Sequence, residues 1–301
     1  MERCARWAST RRTKRRSAGA TGTTSSPAVP IPTSSSWPTC GCGWIAGPRR
    51  SSTSERSRRR DGGGVMTTED WFEGLTGELL AQSPFRGSEY FRRFAAGTLS
   101  REQVWGHISQ HYLLIAWFPR IFSGIHTRCE DLEVRKDCAR HLLVEDLGYF
   151  GGRVGGTPDH DELFRRIGDD LRYPRDVYGG ITPVPEMGAI VEFFRRLAHE
   201  LPWNAALCAT ALLEEEVVEI AQTVGRALVQ HYGVRPEWGG LNYTVHEAIE
   251  KEESGETKKT ILKHVRTTDD RRAAERAMRE MHRLLQVYAD GLARRHLSLT
   301  T

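Results

Sequence analysis

From residue 66 onward apolar positions recur every three or four residues, the spacing of helices buried along one face. The pattern predicts short helices over Trp71–Ala81 and Phe85–Ala96, the first stopped near Ser83-Pro84 and the second at Gly97. Ser100-Arg101-Glu102-Gln103 reads as a capping box, with serine at the cap and glutamine three residues on. It opens a long helix through Arg128 whose face carries Ile108, Tyr112, Ile115, Pro119 and Phe122, with a kink expected at Pro119. Further helices are predicted over Asp131–Gly148, Asp159–Ile167, Pro185–Leu201 and Pro202–Tyr232, then Pro236–Ser254, Thr257–Thr267 and Asp269–Leu297. GYFGGRVGGTPDH is a glycine-rich loop, and Tyr173–Pro185 is a connector rich in proline and glycine. The loop lacks the preceding strand and the Gly-Lys-Ser/Thr ending of a phosphate loop. No β-alternation of useful length and no internal repeat occur, so the body reads as one all-α bundle of seven or eight helices.

A few polar residues break the apolar stripes. In ATALLEEEVVEIAQ, residues 209–222, helical spacing aligns Leu207, Ala211, Glu214, Val218 and Ala221. Glu215, Glu219, Gln222 and Arg226 form the solvated face, with Glu216 between the two. Glu214 is therefore aimed at the core, where a carboxylate needs a cation or hydrogen bonds. The plain alternative is an edge residue that meets an arginine. Glu145 sits likewise in a stripe with Cys138 and Leu142. His246, Glu250 and Glu253 share a face of a third helix, although EAIEKEESGETKK also reads as an ordinary solvated acid/lysine run. Imidazole and carboxylates converging from bundle helices are the donor set of a di-iron or di-manganese centre. His141, four residues before Glu145, is a reserve ligand. His107 and His111 have no acid to complete a set, and read as core or surface histidines. Tyr112, Trp117, Phe118 and Phe122 read as core rather than as a substrate box. No Ser-His-Asp or Cys-His arrangement stands out.

Composition separates the first 65 residues from the rest. They hold 13 of the 43 Lys and Arg but 3 of the 39 Asp and Glu, in a mixture rich in Ser, Thr, Pro and Gly. The basic pI belongs to this tail, and the body is mildly acidic. The tail is open to three readings: a phosphate-binding arm, an organelle transit peptide, or a mis-annotated start with the protein beginning at Met66. The last is favoured, because Gly62-Gly63-Gly64-Val65 directly precedes Met66, and glycine codons are G-rich as a translated ribosome-binding site would be. The acidic body argues against a nucleic-acid partner. Six cysteines without a Cys-x-x-Cys pair fit a reduced cytosol, and no apolar run approaches the length needed to span a bilayer.

FAAGTLSREQVWGHISQHYLLIAWFPRIFSGIHTRCEDLEVRKDCARHLLVEDLG resembles the haem-oxygenase-like, TENA-like fold. The branch in question spans pyrroloquinoline-quinone synthase, the chlamydial death-domain-associating protein and diiron oxidases of natural-product biosynthesis. The resemblance covers residues 70–290 and implies a seven-helix bundle. It implies metal ligands at Glu145, His160, Glu214 and His246, with Glu250 and Glu253 where the family has aspartate and histidine. The implied cofactor is two iron ions, with manganese as a substitute. The implied activity is oxidation of a small organic or amino-acid-like substrate by O₂, with an external electron donor and a homodimer both compatible. The glycine-rich loop at 151–156 places substrate access near His160. A cofactor-independent oxidase, or a non-catalytic binding protein of the same fold, is the alternative. Self-sacrificing aminobenzoate-forming members need a tyrosine before the third ligand and a lysine ten residues beyond it. Here those positions are Leu213 and Val224. The thiaminase-like relatives need a nucleophilic cysteine, and Cys208 lacks matching surroundings.

Overall fold

The computed structural model describes residues 66–297, the side chains of 247–256 excepted. The basic tail, with the late start argued for it, lies outside those residues, as do the side chains of Glu250 and Glu253. The described chain is all-α. It runs α1 (Thr68–Leu80), α2 (Pro84–Gly87), α3 (Glu89–Ala95), α4 (Arg101–Arg128), α5 (Leu132–Leu147) and α6 (His160–Asp170). A 3₁₀ turn at Arg175–Gly180 leads to α7 (Pro185–His199) and α8 (Trp203–Ile220). A π-helical turn at Ala221–Gly225 joins α8 to α9 (Arg226–His231), followed by α10 (Leu241–His264) and α11 (Thr268–His296).

Side-chain caps set most helix starts. Ser100 accepts from the Gln103 amide while the Gln103 side chain accepts from the Ser100 amide, the reciprocal box expected there. Asp131 caps α5 through the amides of Glu133 and Val134, and Asp159 caps α6 through Glu162. Gly148 ends α5 at φ +59°, and a Cβ there would run into the Thr157 carbonyl. Four boundaries differ from those predicted. Ser88 caps a fresh helix and splits 85–96 into α2 and α3. The π turn interrupts the long 202–232 segment. Residues 236–240 form a turn before α10. And α10 runs unbroken through Gly255, where a break was expected, because a single glycine weakens a helix without ending it. Pro119 sits inside α4 without terminating it.

At the centre, α4 packs along α7 and α5, and α8 packs along α11 and α10. Fully buried rings of Tyr90, Phe91, Phe94, Phe122, Phe164 and Phe194 fill the spaces between. Arg128 ties α4 to the end of α7, donating to the carbonyls of Leu201 and Leu197 at 2.7 and 2.8 Å. Cys129, Cys138 and Cys208 are free and buried. Burial pushes the Cys208 thiol up, so it stays protonated and is a poor nucleophile. No helix among the described residues is long and apolar enough to cross a membrane.

Candidate metal and substrate site

Four helices bring the expected donors together. Glu145 lies in the last turn of α5, His160 opens α6, Glu214 is mid-α8, and His246 is in the second turn of α10. The start of α6 is fixed twice. Asp159 caps it, and Tyr112 of α4 donates to Asp161 at 2.6 Å, a carboxylate also held by Arg165. His160 is thereby set against α5, its Nδ1 2.6 Å from Glu145 Oε2. Its ring lies 4.4 Å, centre to centre, from that of His246. His246 Nδ1 donates to the Asn242 carbonyl one turn back, at 2.6 Å. A carbonyl only accepts, so the proton is on Nδ1 and Nε2 is left as the nitrogen able to coordinate an ion. On the other side His141 Nδ1 stands 4.0 Å from Glu214 Oε1. The His141 ring is stacked on Phe122 at 4.1 Å, within 6° of parallel.

Glu145, Glu214 and His246 line one cavity of about 40 Å³ whose remaining wall is mostly apolar and includes Phe118 and Leu213. Burial pulls the His246 pKa down to about 4, so the ring is neutral at physiological pH. Burial alone would raise the Glu145 carboxyl, but the charge and hydrogen bond of His160 outweigh it and hold it below the usual range. A neutral imidazole and an ionised carboxylate are the protonation states that metal binding requires. By donor type the set suits iron or manganese. Among the described residues no group of three His, Cys, Asp or Glu stands close enough to hold an ion as it is. Two of the six expected ligands, Glu250 and Glu253, have side chains outside that description.

Three features escaped the sequence. His111 is fully interior and lines the cavity beside the acids; its pKa is drawn down to about 3 by burial. The i, i+4 spacing with His107 was visible, but the converging acids come from other helices. Phe118, read as core, is a cavity wall. Glu216, placed between faces, is wholly buried at 0 % exposure. Its Oε2 accepts from Ser83 Oγ at 2.5 Å, and His282 Nδ1 of α11 stands 3.8 Å from Oε1. Burial pushes its pKa up to about 7.

The helical bundle, without strands among its described residues, has the haem-oxygenase-like fold. Residues 89–294 match the TENA/THI-4/PQQC family, and the chain is a member of it. It is 25% identical over 191 residues to a 4-aminobenzoate synthase of Chlamydia pneumoniae, covering 64% of this chain and 81% of that one. A 4-aminobenzoate synthase of Nitrosomonas europaea is 22% identical over 57% of this chain and 68% of its own. The fold is shared with a domain of unknown function with a haem oxygenase-like fold from Shewanella denitrificans. That match has TM-score 0.62 and 11% identity, covering 78% of this chain and 95% of that one. A CADD-like protein of unknown function from Nostoc punctiforme gives TM-score 0.56 and 16% identity, covering 75% and 99%.

Proposed function

We propose that the protein is a non-haem iron oxidase or oxygenase, with two metal ions held by Glu145, His160, Glu214 and His246 and completed by Glu250 and Glu253. The observation that supports this reading is one cavity lined by Glu145, Glu214 and His246 from three different helices. Bound iron would supply the electrons and the Lewis acidity needed to reduce O₂. The chain's own residues prepare that chemistry. The Asn242 carbonyl fixes the tautomer of His246, and Glu145 orients His160. The apolar wall around Phe118 and Leu213 limits water at the reacting centre. His141, braced by Phe122, lies within reach of the Glu214 carboxylate and would steady it through changes of charge.

The relatives named 4-aminobenzoate synthase favour an enzyme of this kind. Their reaction is not carried over with the fold. Leu213, on the cavity wall, and Val224, buried in the π turn, occupy the positions where the resemblance asks for tyrosine and lysine. Without them an external small molecule is the better substrate than a side chain of the protein itself. Metal analysis of protein produced with iron, followed by O₂ uptake, tests the proposal. About two equivalents of iron and O₂ consumption that both vanish in Glu214→Ala are expected. Wild-type protein that takes up no iron would refute it.

A further inference from the structure

Away from the metal centre, a cleft of about 360 Å³ lies where the start of α4 meets the C-terminal ends of α6 and α9. Its walls include Arg101, Asp170, Leu171, Arg172, His231 and Tyr232. Helix α6 carries His160 at its first residue and this cleft at its far end, so its 11 residues, about 16 Å of helix, separate the two sites. The cleft is basic. Neither Arg172 nor His231 has an acidic partner among the described residues, and Arg101 approaches Glu102 only to 3.6 Å. Asp170, the acid in the wall, is already neutralised. Arg235 Nε donates to it at 2.7 Å, and the amides of Arg235 and Gly239 donate at 2.9 and 3.1 Å. Its side chain is 3% exposed, so it does not answer the remaining positive charge.

Two of these cations stand where local structure disfavours them. Arg172 follows the end of α6 in the left-handed region at φ +61°, its amide donating to Asp169 and that of Tyr173 to Gly168. Glycine closes such a turn without strain, and every other residue of positive φ among those described is a glycine. Arg101 is in the first turn of α4, the positive end of the helix dipole, where a cation is repelled. Its guanidinium lies 5.3 Å from the centre of the Tyr173 ring, which is stacked on Trp105 at 4.0 Å and within 11° of parallel. The stack braces the charge in that position. His231 is seated by an absent side chain, since a Cβ on Gly97 would meet its ring at 2.5 Å.

We propose that this cleft binds the phosphate dianion of a small molecule through Arg101, Arg172 and His231. Guanidinium groups match phosphate oxygens in pairs, and the imidazole adds a further N–H. A bound dianion offsets both the mutual repulsion of the arginines and that between Arg101 and the α4 dipole. A monocarboxylate balances one guanidinium and leaves the other uncompensated. The cleft has the volume of a small-ligand site, and Leu171 and Tyr232 give an organic group an apolar side. The site is separate from the metal centre, and the assignment stands whether or not the oxidase reading does.

The test uses the full chain in phosphate-free buffer at low salt, titrated calorimetrically with phenyl phosphate, inorganic phosphate and benzoate. Phenyl phosphate is expected to bind about tenfold or more tighter than benzoate, and both to weaken in high salt. Inorganic phosphate binding more weakly than the ester identifies a phosphorylated metabolite as the source. Equal binding identifies the free ion, and either result supports the site. Arg101→Gln and Arg172→Gly are each expected to weaken phenyl phosphate about fivefold or more. Arg172→Gly also relieves the left-handed backbone, so its melting temperature should hold or rise while binding falls, a split that a purely structural arginine does not produce. Arg272→Gln removes an equal charge near the start of α11, whose other end contacts α4, and should leave binding unchanged. Circular dichroism establishes that the variants fold. Benzoate binding as tightly as phenyl phosphate overturns the assignment. So does undiminished binding in Arg101→Gln or Arg172→Gly, or an equal loss in Arg272→Gln.

Discussion

Glu216 gives a stability prediction independent of any ligand. Its carboxyl is wholly interior, accepting one hydrogen bond from Ser83, and its pKa is pushed up to about 7 from an ordinary 4.5, chiefly by burial. Its polar and charged neighbours are Ser83 before α2, Arg86 paired with Glu219, and His282 on α11. His282 is itself held below its usual pKa by burial and then by Arg279, so it offers little compensating charge. An acid whose folded pKa lies above its unfolded value favours folding when protonated. Its contribution is fully present below about 4.5 and is lost as the pH rises through 7. The gap corresponds to about 3 kcal/mol at pH 8.5. Glu216→Gln removes the titration while keeping an oxygen for Ser83. It should match the wild type at pH 4.5 and exceed it by about 3 kcal/mol at pH 8.5, or about 6–12 °C in melting temperature. Urea denaturation of both proteins across that range measures the difference, in which the buried histidines cancel. Parallel curves with a constant offset would show that the Glu216 carboxyl does not stay neutral in the folded protein.

Other outcomes follow from single contacts. Glu145→Ala should lose iron binding and also free the His160 ring, visible as a changed histidine signal in NMR of the metal-free protein. Gly148→Ala should destabilise the chain by about 1–3 kcal/mol, since φ +59° is strained for alanine and the Thr157 carbonyl blocks its methyl; chemical denaturation reads it. Arg128→Ala removes two charge-assisted hydrogen bonds to the end of α7 and should cost about 2–4 kcal/mol by the same assay. Tyr112→Phe should loosen the start of α6, seen as faster amide exchange around Asp161 and His160.

The helices were legible because each buries one face, and period alone reveals that. The stripe that isolated Glu214 holds for that residue, 4% exposed, and for Leu207 and Ala221, while Ala211 and Val218 are half-buried. Glu216 was not resolved because α8 is enclosed on more than one side, by α10 and by α11, so no angle of the helix marks it as outward. The role of His111 depends on Glu145 and His246, which sit on other helices, and local spacing carries no information about that meeting. The π turn at 221–225 likewise leaves no periodic signature, since it adds a residue to a helix that otherwise continues.

Asn242 serves two neighbours through two different groups. Its main-chain oxygen steers the imidazole of His246, and every amino acid possesses that oxygen. The residue also belongs to the lining of the inner cavity. Exchange at this position therefore changes the cavity lining while the main-chain oxygen that sets the tautomer of His246 stays in place. The shape of the cavity and the orientation of its imidazole are thus separable within one turn of helix.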